Sequence, residues 1–121
     1  MKGEILMGVK ELAQRAKSAS YILARAKTSV KNSALLLMAD RLEEKSKEIL
    51  DANRIDLENA RNLSSALIDR LTLNEKRISA MAISLREVAR LEDPVGKTVS
   101  AWRRPNGLEI QKIRVPIGLI G

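Results

Sequence analysis

The sequence predicts a mostly α-helical chain that ends in a β-hairpin and the start of a buried strand. Apolar residues recur every three or four positions as far as residue 93, which is the spacing of amphipathic helices. After Gly96, apolar and polar residues alternate, which is the period of a β-strand. The final run, "RVPIGLIG" at 114–121, is typical of a strand buried on both faces of a sheet.

Four or five helices precede the change of period. The first covers residues 4–26, where apolar residues recur in steps of three and four. The second follows an N-cap at Thr28 or Ser29, because hydroxyl oxygens accept hydrogen bonds from the free amides of a first turn. Asn53 suits a cap better than a helix interior, so a break or kink is expected near it. A shorter helix then runs through residues 57–60.

Two further helices lead to the hairpin. A short one begins at Ser64 or Ser65, and a longer one begins at a capping box formed by Thr72 and Glu75. The longer helix ends before Pro94, because a residue that precedes proline disfavours the α conformation. Its apolar face is expected to comprise Ile78, Met81, Ala82, Leu85, Val88 and Ala89.

The hairpin is predicted from two alternating segments, "KTVSAW" at 97–102 and "LEIQKIRV" at 108–115. The intervening "RRPNG" contains Pro105, which presets φ for a turn, and the pair Asn106–Gly107, which adopts positive φ readily. A hairpin with an apolar face requires a further packing partner.

Positive charge is concentrated near the two ends of the chain. The net charge is +7, with seven basic residues against two acidic ones in 1–31 and five against one in 94–121. A nucleic-acid site usually has one basic stripe, with interleaved aromatic residues where it binds single strands. This chain has one Trp, one Tyr and no Phe. The pattern favours solvated helix faces over a nucleic-acid site.

The composition excludes several classes of site. The 121 residues contain neither Cys nor His, which rules out disulfides, zinc sites of the usual kind, and Ser–His or Cys–His catalytic pairs. Apolar runs are shorter than the about 18 residues that a membrane span requires. The first ten residues, "MKGEILMGVK", lack the apolar core of a secretory signal. A cytoplasmic protein with one modest core is expected.

The remaining polar motifs are weak evidence for chemistry. The adjacent acids Glu43–Glu44 and Glu92–Asp93 diverge on a helix, so solvated surface is expected rather than a catalytic dyad. "GLIG" at 118–121 lacks a Walker lysine and the spacing of a dinucleotide loop. Close backbone approach in a sheet explains its glycines better.

Trp102 stands beside Arg103 and Arg104. Two roles are compatible with this triplet, stacking on a ligand and anchoring the hairpin with the arginines at the rim. Anchoring is the preferred interpretation. From residue chemistry alone the chain shows no active site.

Three stretches carry a family resemblance: "KNSALLLMADRLEEKSKEILDANRIDLENAR", "LIDRLTLNEKRISAMAISLREVARLEDPVGK" and "WRRPNGLEIQKIRVPIGLIG". Together they resemble the amino-terminal part of γ-glutamyl phosphate reductase, also called glutamate-5-semialdehyde dehydrogenase, of the aldehyde dehydrogenase superfamily. The most specific pieces are "DRLTL" at 69–73, "DPVG" at 93–96, "RPNGL" at 104–108 and "RVPIG" at 114–118.

The resemblance implies an α/β parent fold with a Rossmann-like cofactor domain. Residues 1–93 would then be the amino-terminal helical part of that domain. Residues 94–115 would be the hairpin of the oligomerisation region, and residues 116–121 the start of the first strand of the nucleotide-binding sheet. The terminal apolar run would join that sheet.

The resemblance also implies an activity. The family reduces L-glutamyl 5-phosphate with NADPH to L-glutamate 5-semialdehyde and phosphate in proline biosynthesis, through attack by a cysteine thiolate. That cysteine would lie beyond Gly121. No catalytic, cofactor-binding or metal-binding residue is therefore assigned to this chain, which is expected to be inactive alone and to bind no NADPH. The whole enzyme is expected to be a cytoplasmic homo-oligomer that binds no nucleic acid and no membrane.

The sequence leaves two alternatives, a stand-alone helical interaction module and a basic nucleic-acid-binding protein. Neither requires a strand with two apolar faces at its end, which favours the reductase. Steeply salt-dependent binding to RNA would support the nucleic-acid alternative.

Overall fold

The structure, a computed structural model, describes residues 8–60 and 62–121. Within these residues the chain forms five α-helices and two β-strands: α1 (Val9–Leu23), α2 (Thr28–Glu44), α3 (Ser46–Asn59), α4 (Ser65–Leu71), α5 (Glu75–Arg90), β1 (Thr98–Arg103) and β2 (Glu109–Ile113). For the described residues, the prediction of a mostly helical chain with strand only after Pro94 is confirmed. No helix in this described part is long and apolar enough to cross a membrane.

The chain divides into two compact units. Residues 28–91 form one, called here the helical unit, and residues 1–27 with 92–121 form the other, called the hairpin unit. In the helical unit α2 packs along α5, and the most deeply buried side chains are Ala39, Ile78 and Ala82. Small alanine side chains let two helices approach closely, so one isoleucine fills the contact between them.

The break after α2 is displaced from its predicted place. It falls at Lys45, whose φ of −97° and ψ of 13° lie outside the helical region, and not near Asn53. Asn53 lies inside α3 and is buried. The prediction of a break near Asn53 is therefore wrong, because tertiary hydrogen bonds satisfy an amide that would otherwise compete with the helix backbone.

The helices begin only in part at the positions that the sequence predicts. Ser64 precedes α4, as predicted, and Thr28 is already the first residue of α2. The capping box predicted at Thr72 does not form. Asn74 caps α5 instead, and its side-chain oxygen accepts a hydrogen bond from the Arg77 backbone amide at 2.8 Å. The Thr72 hydroxyl donates to the Ile68 carbonyl of the preceding helix at 2.7 Å.

In the hairpin unit, α1 keeps its predicted apolar stripe without burying it. Every residue of α1 is exposed or half-buried, and Val9 and Leu12 are 85% and 56% exposed. The part of the predicted helix at residues 4–7 lies outside the described residues. The spacing of apolar residues thus predicts α1 correctly. Burial of its apolar face requires another surface to pack against.

The hairpin pairs β1 with β2 in antiparallel register, with Trp102 opposite Ile110 and Ser100 opposite Lys112. The register shifts between Thr98 and Ser100, as at a β-bulge. At the turn the Gly107 amide donates to the Arg104 carbonyl at 2.9 Å. The hairpin and its Pro-Asn-Gly turn are as predicted.

Gly107 holds the turn in a conformation that other residues resist. Its φ is +86°, and a Cβ at this position would meet nothing within 4 Å, so the cost of a side chain is conformational. We expect Gly107→Ala to destabilise the hairpin by about 1–2 kcal/mol. Fluorescence of Trp102, the single tryptophan, should report fraying at lower temperature. Gly8→Ala, at a φ of −62°, is the control, and equal effects at both positions would contradict this explanation.

The segment after β2 is exposed in this chain. Pairing extends one step beyond the strands, since the Gly96 amide donates to the Arg114 carbonyl at 2.9 Å. Beyond it, Val115 and Ile117 are 76% and 87% exposed, and residues 114–121 have no strand assignment. The burial predicted for this run is not realised here, because a buried strand requires neighbouring strands on both sides.

Candidate functional site

The strongest polar cluster of the helical unit joins α2 to α5. The Arg86 guanidinium donates to both carboxylate oxygens of Glu43, at 3.0 and 2.6 Å, and to Asp40 Oδ1 at 2.7 Å. The Arg86 side chain is 30% exposed. Because the hydrogen bond from Arg86 stabilises the ionised carboxylate, the pKa of Glu43 lies below its usual range, and the hydrogen bonds to Glu43 and Asp40 raise the pKa of Arg86. This cluster links α2 to α5 through hydrogen-bonded ion pairs.

The depressed pKa of Glu43 predicts acid sensitivity. A lowered pKa in the folded state adds stability above the unfolded pKa, and that stability is lost as pH falls through the folded value. We therefore expect the melting temperature to fall more steeply below about pH 4.5 in the wild type than in Glu43→Gln. Thermal unfolding followed by circular dichroism between about pH 6 and pH 3 measures this.

Glu44→Gln is the matched control for this prediction. Glu44 pairs with Arg41 at 2.7 Å within the same helix, so its loss leaves the contact between α2 and α5 intact. Identical pH profiles for wild type and Glu43→Gln would show that the Arg86 cluster does not contribute.

A buried amide joins α3 to the connection between α4 and α5. Asn53 Nδ2 donates to the Leu71 carbonyl at 2.9 Å, and Asn53 Oδ1 accepts from the Leu73 amide at 2.8 Å. On the other side of this connection, Arg77 donates to Asp69 Oδ1 at 2.8 Å and to the carbonyls of Asp69 and Thr72. The two side chains hold the connection in place, and neither was singled out as functional from the sequence.

The adjacent acidic residues Glu43–Glu44 and Glu92–Asp93 lie on the surface. Glu43 bonds Arg86, while Glu44 bonds Arg41 within α2. Glu92 pairs with Lys97, and Asp93 Oδ1 accepts from the Val95 amide at 3.0 Å. Since the partners of each pair point to different groups, the arrangement does not resemble a catalytic dyad.

Trp102 is 48% exposed and lies opposite Ile110 in the hairpin. Arg103 Nε donates to the Gly107 carbonyl at 3.4 Å and lies 4.0 Å from Glu109 Oε1. These contacts tie Arg103 to the turn, whereas the anchoring role of Trp102 stays a prediction.

An apolar groove of about 530 Å³ lies along the helical unit. It is lined by Leu42, Ala80, Met81, Ser84, Leu85 and Val88. Its lining offers one hydroxyl and no charged group, so its chemistry suits packing against another apolar surface.

The described residues do not by themselves fit a metal or a dinucleotide. Among them, no group of three or more potential ligands is placed to hold a metal ion. Gly118 has a φ of +95°, but a Cβ there would meet Lys17 Nζ at an ordinary 3.8 Å, so the glycine does not form a close cradle. The exposed segment 114–121 has no sheet around it.

Two solved structures that share this fold are γ-glutamyl phosphate reductases. The chain superposes on γ-glutamyl phosphate reductase from Thermotoga maritima with a TM-score of 0.82 and 44% identity, covering 89% of this chain and 27% of that one. The corresponding enzyme from Saccharomyces cerevisiae gives a TM-score of 0.81 at 31% identity, covering 91% and 29%.

Proteins of similar sequence carry the same name as these two solved structures. γ-Glutamyl phosphate reductase of Syntrophomonas wolfei is 55% identical over 113 residues, or 92% of this chain, and that of Thermodesulfovibrio yellowstonii is 50% identical over 98% of it. The chain belongs to the γ-glutamyl phosphate reductase family, in which it is an amino-terminal segment. It spans 27–29% of the length of these relatives. No protein-family model matches the chain.

Proposed function

We propose that this chain is the amino-terminal part of an NADPH-dependent reductase that converts L-glutamyl 5-phosphate to L-glutamate 5-semialdehyde and phosphate in proline biosynthesis. The observation that carries the proposal is 55% identity over 92% of the chain to a γ-glutamyl phosphate reductase. The whole enzyme would be a cytoplasmic homo-oligomer.

The contribution of these residues would be architectural. The reaction class requires a nucleophile that attacks an acyl phosphate and a hydride donor that reduces the acyl group. The chain contains no cysteine, so a thiol nucleophile would come from other residues of the enzyme. The Arg86 cluster and the Asn53 bridge would hold the helical unit rigid against the rest of the enzyme.

A chimera tests the proposal. Residues 8–121 would replace the aligned segment of the Syntrophomonas wolfei enzyme, and we expect the chimera to support growth of a strain that lacks its own γ-glutamyl phosphate reductase, without added proline. The purified chimera should form NADPH from glutamate 5-semialdehyde, phosphate and NADP. A soluble, folded chimera without either activity would contradict the proposal.

The isolated chain is expected to have no reductase activity. It lacks a thiol, so assays with glutamate 5-semialdehyde, phosphate and NADP should give no NADPH above the buffer rate. The intact Syntrophomonas wolfei enzyme is the positive control. Reproducible NADPH formation by the pure chain would contradict this expectation.

A further inference from the structure

The groove defined above leaves a continuous apolar strip uncovered on the helical unit. Met81 and Val88 are 38% and 49% exposed and lie two turns apart on one face of α5. On α2, Met38 is 53% exposed and lies one turn from Leu42. A contiguous apolar patch that is exposed on an isolated chain usually marks a site of interaction with another surface.

The distribution of exposed apolar side chains over the chain indicates what kind of partner would cover them. A two-fold contact between copies covers one patch on each chain. Here the exposed apolar side chains also occur on α1 and after the hairpin, at Ile22 and Ile117. A large globular partner is needed to cover several such patches. The reductases that contain this same fold have about three quarters of their chain outside the matched segment.

We propose that the groove docks the remaining portion of a γ-glutamyl phosphate reductase, and that this docking restores reductase activity even when the two portions are separate chains. The inference rests on the proposed function. Because the groove already exists in the helical unit, little ordering of the helices opposes association.

Co-expression tests this inference. The chain would be produced with an affinity tag alongside the Syntrophomonas wolfei enzyme from which the aligned segment has been deleted. We expect the deleted enzyme to co-purify with the tagged chain and the pair to show reductase activity. The covalent chimera described above is the reference for full activity.

Two substitutions locate the docking face. Met81→Asp places a carboxylate in the groove, where docking would bury it without a partner, and is expected to lower the activity of the two-chain complex at least ten-fold. Asn62→Asp adds the same charge at an exposed position outside the groove and should leave activity within two-fold. In the covalent chimera, the high effective concentration should restore much of the activity of Met81→Asp. Circular dichroism of each isolated variant checks folding.

The outcomes separate the two proposals. An active chimera with separate portions that neither co-purify nor react overturns docking and leaves the proposed function standing. Insolubility of the deleted enzyme despite co-expression counts equally against docking, as do equal losses for Met81→Asp and Asn62→Asp. A folded but inactive chimera overturns the proposed function itself. If the tagged chain recovers only further copies of itself, the inference is wrong.

Discussion

Replacing Asn53 with alanine is expected to destabilise the helical unit by about 2–4 kcal/mol, because two part-buried backbone groups each lose a hydrogen-bond partner. The Leu71 carbonyl loses its donor at 2.9 Å, and the Leu73 amide loses its acceptor at 2.8 Å. Alanine has the better helix propensity, which offsets about 0.5 kcal/mol of the loss. Urea unfolding followed by circular dichroism measures the difference in the free energy of unfolding.

Asn59→Ala provides the control, since Asn59 lies in the same helix and is exposed. It should change the free energy of unfolding by less than about 0.5 kcal/mol. Asn53→Asp keeps an acceptor for the Leu73 amide but loses the donor to Leu71, so it should also destabilise. If Asn53→Ala and Asn59→Ala behave alike, the amide bridge contributes nothing to stability.

Truncating Ile78 to alanine should cost about 2–5 kcal/mol, because it removes the largest fully buried side chain among the described residues and leaves a cavity. The neighbouring core residues, Ala39 and Ala82, are too small to fill the space. Thermal and urea unfolding should both show the loss, with a lower midpoint and an unchanged dependence on urea concentration.

Ile83→Ala makes the same chemical change on the same helix at a side chain that is 50% exposed. We expect a loss of less than half that at Ile78, because less area is removed from contact and no enclosed cavity forms. Equal losses at the two positions would show that the core does not lie between α2 and α5.

Local sequence patterns predicted the helices, the strands and the turn, because each of these depends on residues that are close together in the sequence. The period of apolar residues located the helices and the later strands, since helical and extended backbones present their faces every 3.6 and 2 residues. Pro105 and Gly107 located the turn through their own backbone preferences. A local signal misled where two caps competed, because Asn74 rather than Thr72 reaches the free amide of α5.

The family resemblance and the lack of a thiol or imidazole were determined by the sequence alone, because both depend only on residue identity. Tertiary structure decided the environment of each side chain. Asn53 became a helix-interior bridge because its partners lie 18 and 20 residues away, a distance that no local pattern encodes. Arg86 met Glu43 across 43 residues for the same reason. Burial of the apolar segment 114–121 requires neighbouring strands, since a strand is stable only when its backbone amides and carbonyls have hydrogen-bond partners.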